Sequence, residues 1–336
     1  MAKKLLIATL GTTPAVITEA VDLLTEQGVR PDGVQLLLTQ DRDVQEGYEL
    51  LAQHLPDHDD ITWVEPVSIA AYGDVDSSEA AVEFMQVACA LLRTFRDAGH
   101  RLFVSIAGGR KAMSALLALA VQFYGAERLF HVWVPPWIEE EGDISKLCQW
   151  KDFPKRLNEV LHPSLEADEG DRPRIVDLPF IGLFPLLDDI RMALQGEEIP
   201  LKEIKGLLVA NALLTSQGEP TELGRRVAII LESVEGLPPA RQEECKISIA
   251  KHHYSGRLER FAWELSGRFP FITEIRSGEW RSGGDKVKAE SPNIIRVFEP
   301  LGTDFPLQLI LTTTATTSGQ LEAARRGVER YVRRRK

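Results

Sequence analysis

The first 150 residues alternate between short apolar segments and longer amphipathic segments, and this alternation limits the possible folds more than any other feature. Five segments have the length and apolar content of buried strands; they are residues 3–11, 33–40, 62–69, 102–109 and 129–134. Four helical patterns fall between them, at residues 14–27, 43–54, 78–98 and 111–124. Because buried strands that alternate with helices form parallel sheets, the pattern predicts a doubly wound α/β domain over residues 1–165.

The composition is that of a soluble, core-forming protein. Of the 336 residues, 44% are apolar and 26% are charged, and no apolar run approaches the ~18 residues that a membrane span needs. Cys89, Cys148 and Cys245 are scattered without a CxxC motif, which argues against a disulfide framework and against a thiolate zinc site. We therefore expect a cytoplasmic protein of two or three domains, with no cofactor, no metal site and no membrane partner.

The charge is distributed unevenly along the chain. The net charge is −11, but residues 251–336 contain 16 Lys and Arg against 10 Asp and Glu. A basic segment behind an acidic body indicates either a contact with a polyanion or a solvated basic helix.

The middle of the chain, residues 166–250, is helical. Two of its helical patterns, at 201–214 and 221–234, are joined by the short turn TSQGEP. This arrangement is typical of a helix-turn-helix or winged-helix unit. Because the segment is acidic, a linker or dimerisation role is favoured over DNA binding.

The last part, residues 251–336, changes pattern again. A helical pattern at 257–266 is followed by three strand patterns and then by a basic helix at 318–335. The strand patterns are 272–278, 294–300 and 306–315. Strands in a row predict a small α+β domain with an antiparallel sheet.

Two strand-to-helix turns of the first domain have the composition of an anion site. Residues 10–14, LGTTP, combine a glycine with two hydroxyls, and residues 105–111, SIAGGRK, combine two glycines with two cations. Free N–H groups at a helix N-terminus favour phosphate, and ligands of open α/β sheets bind beyond the carboxyl ends of the strands. Neither turn matches GxGxxG or GxxxxGK[ST], which disfavours a dinucleotide coenzyme and a Walker-type triphosphate. The alternative is that the glycines only make tight turns.

Three motifs, GTTPAVITEA, TQDRD and SIAGGRKAM, together resemble the CRISPR-associated Rossmann fold (CARF) sensor domains. The resemblance implies a Rossmann-like homodimer that binds a cyclic oligoadenylate, tetra-adenylate or hexa-adenylate, across its two-fold axis. A ring of phosphodiesters needs N–H and hydroxyl donors with a few cations, in agreement with these motifs. The resemblance assigns the ligand contacts to Gly11, Thr12, Thr13, Pro14, Gln40, Asp41, Arg42, Gly108, Gly109, Arg110 and Lys111.

The segments FITEIRSGEWR, NIIRVFE and PLQLILTTTATTSGQLEAARRGVERYV resemble the RelE toxin superfamily. This resemblance implies cleavage of mRNA on the ribosome without a metal ion. Many relatives carry lysines after the last strand, whereas residues 312–317 are five threonines and one alanine. This departure from the family pattern leaves the base without an assigned residue.

RelE-type cleavage uses the 2′-OH of the mRNA as nucleophile, and cations stabilise the phosphorane that forms. Arg276 and Arg296 are expected on adjacent strands that face one cleft, and Arg281, Lys286 and Lys288 are expected on the intervening loop. A ribosome-facing helix is expected to present Arg325, Arg326, Arg330 and Arg333.

The order of CARF, winged-helix-like and RelE-like parts resembles CRISPR-Cas-associated mRNA interferases. These resemblances together imply a metal-independent endoribonuclease that is activated by cyclic oligoadenylate and acts on ribosome-bound mRNA. One alternative is a CARF ring nuclease that degrades the cyclic ligand. Another is a ligand-responsive transcription regulator that reads DNA through Arg225 and Arg226. Arg156 and His162 match the Arg–His spacing of HEPN ribonucleases, but their place in the connector after the sheet suggests a chance match.

Overall fold

The computed structural model describes residues 2–59, 61–69, 73–163, 172–197, 202–251, 253–278, 286–298, 300 and 307–334. Its first sheet has six strands in the order β3-β2-β1-β4-β5-β6. The strands are β1 Lys4–Thr9, β2 Gly33–Leu38, β3 Trp63–Ser68, β4 Arg101–Ser105, β5 Arg128–Trp133 and β6 Arg174–Asp177. All neighbours pair in parallel except β6, which pairs antiparallel with β5. The predicted doubly wound α/β fold is confirmed, and the edge strand β6 is an addition.

Helices cover both faces of this sheet. They are α1 Ala15–Glu26, α2 Arg42–Asp59, α3 Ser78–Asp97 and α4 Lys111–Tyr124. The first two contribute to one apolar core, which includes Ile17 and Leu51, and the other two contribute to a second core, which includes Phe84 and Leu117. Since both faces are covered, β1, β2 and β3 are almost wholly buried, as expected of parallel strands.

The chain then makes a helical excursion before and after β6. Short helices α5 Pro136–Glu141, α6 Ile144–Leu147 and α7 Pro154–Leu161 precede β6. After it come α8 Leu187–Leu194, α9 Lys202–Ala210, α10 Glu222–Val234 and the short strand β7 Lys246–Ser248. Thr221 caps α10, because its hydroxyl accepts a hydrogen bond from the Gly224 N–H. None of the described helices is long and apolar enough to cross a membrane.

The last part contains a five-stranded sheet in the order β7-β8-β11-β10-β9. Its elements are α11 Ser255–Arg268, β8 Ile272–Gly278, β9 Val287–Glu290, β10 Ile294–Phe298, β11 Gln308–Thr313 and α12 Ser318–Arg334. The predicted helix, three strands and basic helix are present, and β9 and β7 were not foreseen. β7 pairs in parallel with β8, whereas the other pairs are antiparallel.

The second sheet and the first domain share one continuous core. The core that includes Phe84 of α3 extends to Phe261 of α11 and Ile295 of β10. Helix α11 covers the edge strand β3 so closely that a Cβ on Gly267 would lie 2.1 Å from the Pro66 carbonyl oxygen. The C-terminal part is therefore fixed against the first domain of the same chain.

Two buried acids form ion pairs across the same boundary. Glu65 on β3 is fully buried and pairs with Arg241, while Gln35 donates a hydrogen bond of 2.7 Å to its other oxygen. Glu83 on α3 is also fully buried, and it pairs with Arg268 at 3.0 Å and with Arg334 at 2.8 Å. Removing one partner of such a pair leaves a buried charge without compensation, so these contacts resist separation.

Candidate ligand cavity and cationic sheet face

The two turns predicted to bind an anion come together at one end of the first sheet. β1 and β4 are neighbours, and the helices that follow them lie on opposite faces of the sheet. In doubly wound sheets, a crevice opens where the strand order reverses in this way. A cavity of about 640 Å³ occupies that position here, within the size range of small-molecule sites.

The glycines of the two turns are required by the contact between the turns. A Cβ on Gly11 would lie 2.2 Å from the Gly108 carbonyl oxygen, and a Cβ on Gly108 would lie 2.4 Å from the Thr9 carbonyl oxygen. A Cβ on Gly109 would lie 2.5 Å from the Thr9 side chain. None of the three has a positive φ. Close approach of the two turns, rather than a left-handed backbone, therefore explains these glycines.

Six of the predicted contact residues line the cavity: Gly11, Thr12, Thr13, Gly108, Gly109 and Arg110. The Arg110 guanidinium lies 2.6 Å from Asp74 and 3.3 Å from Asp41, so two carboxylates partly compensate its charge. Helix α1 begins beside the cavity without a side-chain cap and without an acid in its first turn. Its first N–H groups therefore offer partial positive charge to an anion.

The other five predicted contacts do not line this cavity. Pro14 is buried and packs toward Gly47, and Gln40 is exposed. Arg42 is exposed and pairs with Glu46, one turn along α2. Lys111 is exposed at the first position of α4. Asp41 reaches the cavity only through Arg110.

Glu19 is a cavity residue that the sequence analysis missed. It lies on α1 and is only 2% exposed, and its Oε2 atom has no hydrogen-bond partner among the described residues. Burial, followed by the nearby charges of Asp22 and Glu139, raises the pKa of Glu19 to about 8. At neutral pH the Glu19 carboxyl is therefore mostly protonated, with one O–H donor and one carbonyl acceptor.

Four further polar or aromatic residues line the cavity: Thr39, His131, Trp133 and Glu139. Thr39 follows β2, and His131 and Trp133 lie on the last half of β5. Because ligands of open α/β sheets bind beyond the carboxyl ends of the strands, the positions of these three residues could have indicated them from the sequence. Glu139 comes from α5 in the connector, and its position depends on tertiary packing.

A second cluster of predicted residues lies on the face of the C-terminal sheet that points away from α11 and α12. Arg276 and Arg296 both pair with Ile310 of β11, and Lys288 pairs with Arg296. Residues that pair across neighbouring strands point to the same face of a sheet, so these three cations form one row. The helices α11 and α12 pack on the opposite, apolar face, which includes Ile275, Ile295 and Leu309.

One part of the sequence prediction for this cluster is wrong. Arg276 and Arg296 are not on adjacent strands, because β11 lies between β8 and β10. Lys288 lies on the unforeseen strand β9 and Lys286 immediately precedes it, whereas Arg281 lies outside the described residues. Arg296 pairs with Glu290 of the same face at 2.7 Å.

The threonines that replace the expected lysines have structural partners. The Thr313 hydroxyl donates a hydrogen bond to the Asn293 carbonyl at 2.9 Å, and the Thr314 hydroxyl donates one to the Pro239 carbonyl at 2.5 Å. Thr317 accepts a hydrogen bond from the Gln320 N–H at the start of α12. This run therefore closes the end of β11 and begins the last helix.

The arginines of the basic helix α12 are paired with acids to a greater extent than the sequence suggests. Arg325 pairs with Glu322 and Glu329, and Arg333 pairs with Glu329. Arg326 and Arg330 line a groove that also contains Glu232 and Glu235. The proposed ribosome-facing cations therefore sit beside acids.

The helix that a DNA-binding regulator would use is also partly engaged. Arg225 and Arg226 of α10 both contact Glu222 on the same helix. The apolar face of α10 packs against α3 and α8. Because of these contacts, α10 offers little positive surface to DNA, which disfavours the alternative of a transcription regulator.

Comparison with known proteins assigns the family. A family model described as CRISPR-associated protein NE0113 matches residues 13–212. The chain belongs to this family. The matched region of this CRISPR-associated protein begins after β1 and after Gly11 and Thr12, contains the other elements of the first domain and most residues that line the cavity, and ends just after α9.

Solved structures show more distant similarity. Csm6 of Enterococcus italicus, bound to cyclic hexa-2′-fluoro-hexa-dAMP, is 15% identical with a TM-score of 0.40, covering 70% of this chain and 54% of Csm6. Protein VC1899 of Vibrio cholerae is 8% identical with a TM-score of 0.31, over 93% and 77% of the two chains. UDP-GlcNAc 2-epimerase of Neisseria meningitidis is 14% identical with a TM-score of 0.27, over 81% and 64%. The chain thus spans about half the length of Csm6, and no curated protein matches it.

Proposed function

We propose that this CRISPR-associated protein is an effector of type III antiviral defence. In this proposal, a homodimer binds cyclic oligoadenylate, with cyclic tetra-adenylate as the first candidate, through the cavity between β1 and β4. The C-terminal sheet then cleaves ribosome-bound mRNA without a metal ion.

The cavity at the strand-order reversal is the observation that carries the proposal. It brings two hydroxyl- and glycine-rich turns, the start of α1 and the Arg110 guanidinium to one place. Phosphodiester oxygens accept hydrogen bonds from such N–H, hydroxyl and guanidinium donors. Two cavities related by a dimer axis would match the two-fold symmetry of an even-numbered ring.

The neutral Glu19 carboxyl supports adenine as the base. Its carbonyl accepts a hydrogen bond and its O–H donates one, and the adenine edge offers an amino donor beside a ring-nitrogen acceptor. A buried carboxylate would instead repel the phosphates. The same cavity therefore provides donors for the phosphates and a two-sided partner for the base.

The row of Arg276, Arg296 and Lys288 supports cleavage of RNA at the C-terminal sheet. In the proposed reaction the 2′-oxygen bonds to phosphorus, the bond from phosphorus to the 5′-oxygen breaks, and the 2′-OH proton leaves while the 5′-oxygen gains one. The products are a cyclic 2′,3′-phosphate and a 5′-OH. The intermediate carries more negative charge than the substrate. Fixed guanidinium groups therefore stabilise the intermediate more than the substrate.

The continuous core suggests how binding would be transmitted. Because Glu83 of α3 pairs with Arg268 of α11 and Arg334 of α12, and Glu65 of β3 pairs with Arg241, each chain is expected to move as one body. Ligand binding would then change the arrangement of the two chains in the dimer, through different affinities for two dimer states.

Calorimetric titration tests the sensor half of the proposal. Cyclic tetra-adenylate should bind with one ring per two chains, and linear tetra-adenylate should bind more weakly. Analysis of the mixture for linear products shows in the same experiment whether the ring is also cut. No binding of cyclic tetra- or hexa-adenylate would overturn the proposal.

A further inference from the structure

Four side chains from three helical segments meet on one side of the first domain, and none of them lines the ligand cavity. They are Asp22 of α1, His54 and Asp59 of α2, and His162 directly after α7. His162 and Asp22 are 140 residues apart in sequence, so no sequence motif joins them. The Arg156 side chain, which shares the HEPN-like spacing with His162, pairs instead with Glu141 and Glu159.

The two imidazoles face each other through their Nε2 atoms. These atoms are 2.8 Å apart, and the rings are stacked with centroids 5.1 Å apart. The Asp59 Oδ2 atom lies 4.0 Å from the His162 Nε2 atom. The His162 Nε2 atom therefore has one nitrogen and one carboxylate oxygen within 4.0 Å, and ligand atoms of Asp22, Asp59 and His162 all lie within 4.8 Å of one another.

Asp22 determines which nitrogen of His162 carries the proton. Its carboxylate lies 2.9 Å from the Nδ1 atom, and an ionised carboxylate only accepts hydrogen bonds. A neutral His162 therefore carries its proton on Nδ1 and has a lone pair on Nε2, which points toward His54 and Asp59. A carboxylate that orients a metal-binding histidine in this way is typical of metal sites.

We propose that this cluster binds a divalent transition metal, with Zn²⁺ as the best match. The ligands are the Nε2 atoms of His54 and His162 and the carboxylate of Asp59, and Asp22 is the positioning residue. Imidazole and carboxylate donors suit Zn²⁺. Tetrahedral Zn²⁺ with bonds near 2.0–2.1 Å places its ligand atoms about 3.3 Å apart, and the observed 2.8 and 4.0 Å separations lie on either side of that value.

The burial of the cluster suits an ion that enters from solvent. The side chains of His162, Asp59 and Asp22 are 11%, 14% and 19% exposed, so each is mostly enclosed and still reachable. Two carboxylates in such a setting favour a dication.

The metal would fasten the connector to α2, and Asp22 would link the site to α1, the helix that begins at the ligand cavity. Leu161, next to His162, already accepts a hydrogen bond from Thr18 of α1, and the Ile144 N–H of α6 donates one to the Thr12 carbonyl. The site is a structural clamp, separate from RNA cleavage. Metal binding requires neither cyclic oligoadenylate nor ribosomes, so its test is independent of the proposed function.

The test uses the full chain stripped of metal with a chelator and then titrated with Zn²⁺ or Co²⁺ alone. We expect a rise in thermal midpoint with Zn²⁺ and a visible absorption band with Co²⁺ that Zn²⁺ removes. His162→Gln should lower the affinity by more than 100-fold, and Asp22→Asn by about 10- to 100-fold. The exposed His253→Gln serves as the matched control and should bind like the wild type.

Two outcomes would overturn the site. Absence of a Co²⁺ band in the wild-type chain, a measurement that needs no variant to fold, would leave only a hydrogen-bonded cluster. Equal metal affinity in His162→Gln, with circular dichroism showing an intact fold, would place the metal elsewhere.

Discussion

Arg276 and Arg296 lie opposite the same residue, Ile310, from the two strands that flank it. Their backbones are therefore separated by two inter-strand spacings, about 10 Å, and their side chains project from the same face. That spacing allows two guanidinium groups to hold neighbouring phosphates of one RNA strand.

Arg296→Ala should reduce mRNA cleavage by about 100-fold, because one fixed donor to the transition-state charge is lost. Primer extension on ribosome-bound mRNA measures the effect. Arg260→Ala is the matched control, since Arg260 is exposed on α11, on the helix-covered side of the sheet. Equal cleavage by the wild type and Arg296→Ala would remove Arg296 from the site.

Arg110→Ala should weaken binding of cyclic tetra-adenylate by at least 10-fold, since a charged hydrogen bond contributes about 1.5–3 kcal/mol. The matched control is Arg42→Ala, because the Arg42 side chain is 88% exposed and does not line the cavity. Lys111→Ala should have a smaller effect than Arg110→Ala. If Arg110→Ala binds as tightly as the wild type, the ligand lies elsewhere.

The first sheet was predictable because its signal is local. Each buried strand and the helix after it are contiguous in sequence, and parallel order follows from their alternation. β6 and β7 were missed because they are short, with four and three residues, and largely exposed. Only their pairing with distant strands makes them part of a sheet.

Glu19→Gln should change the dependence of stability on pH. Folding raises the pKa of Glu19 from 4.5 to about 8, so its contribution to stability is complete below about pH 4.5 and is lost as the pH rises through 8. The free energy of unfolding of the wild type should fall relative to Glu19→Gln by up to about 1.4 kcal/mol per pH unit in this interval. Urea denaturation at several pH values measures this difference, and parallel profiles for the two proteins would contradict it.

Gly11→Ala should destabilise the protein by about 1–3 kcal/mol, because the new Cβ collides with the Gly108 backbone. It should also weaken ligand binding, since the two turns would separate. Gly206→Ala is the control, because a Cβ there meets open space on helix α9, and it should stabilise by roughly 0.5–1 kcal/mol. Urea denaturation and calorimetry measure both effects; unchanged stability in Gly11→Ala would refute the packing of the turns.

Glu83→Gln should destabilise the protein by about 3 kcal/mol, because the largely buried Arg268 then lacks its counter-charge. Arg334→Ala breaks the other arm of the same contact, where the Arg334 side chain is 48% exposed, and should cost under about 1 kcal/mol. Urea denaturation measures the free energy of unfolding of both variants. An equal decrease in Glu83→Gln and Arg334→Ala would show that the Glu83–Arg268 pair does not stabilise the contact between the first domain and the C-terminal part.

The candidate site was only partly predictable. The turns of residues 10–14 and 105–111 were found because glycines and hydroxyls after buried strands mark the ends of a parallel sheet. Glu19 was missed because an acid within an apolar helix gives no sign of its partners before the fold is known. The adjacency of Arg276 and Arg296 was misjudged because strand order in an antiparallel sheet is a long-range property, and β11 enters between β8 and β10.

The central claim is that a cyclic messenger switches on RNA cleavage at the C-terminal sheet. The most direct measurement is translation in a cell extract with and without cyclic tetra-adenylate, followed by primer extension on the mRNA. The account predicts cuts within codons in the decoding site that appear only with the messenger and are lost in Arg296→Ala. Intact mRNA in the presence of a messenger that binds the protein would contradict it.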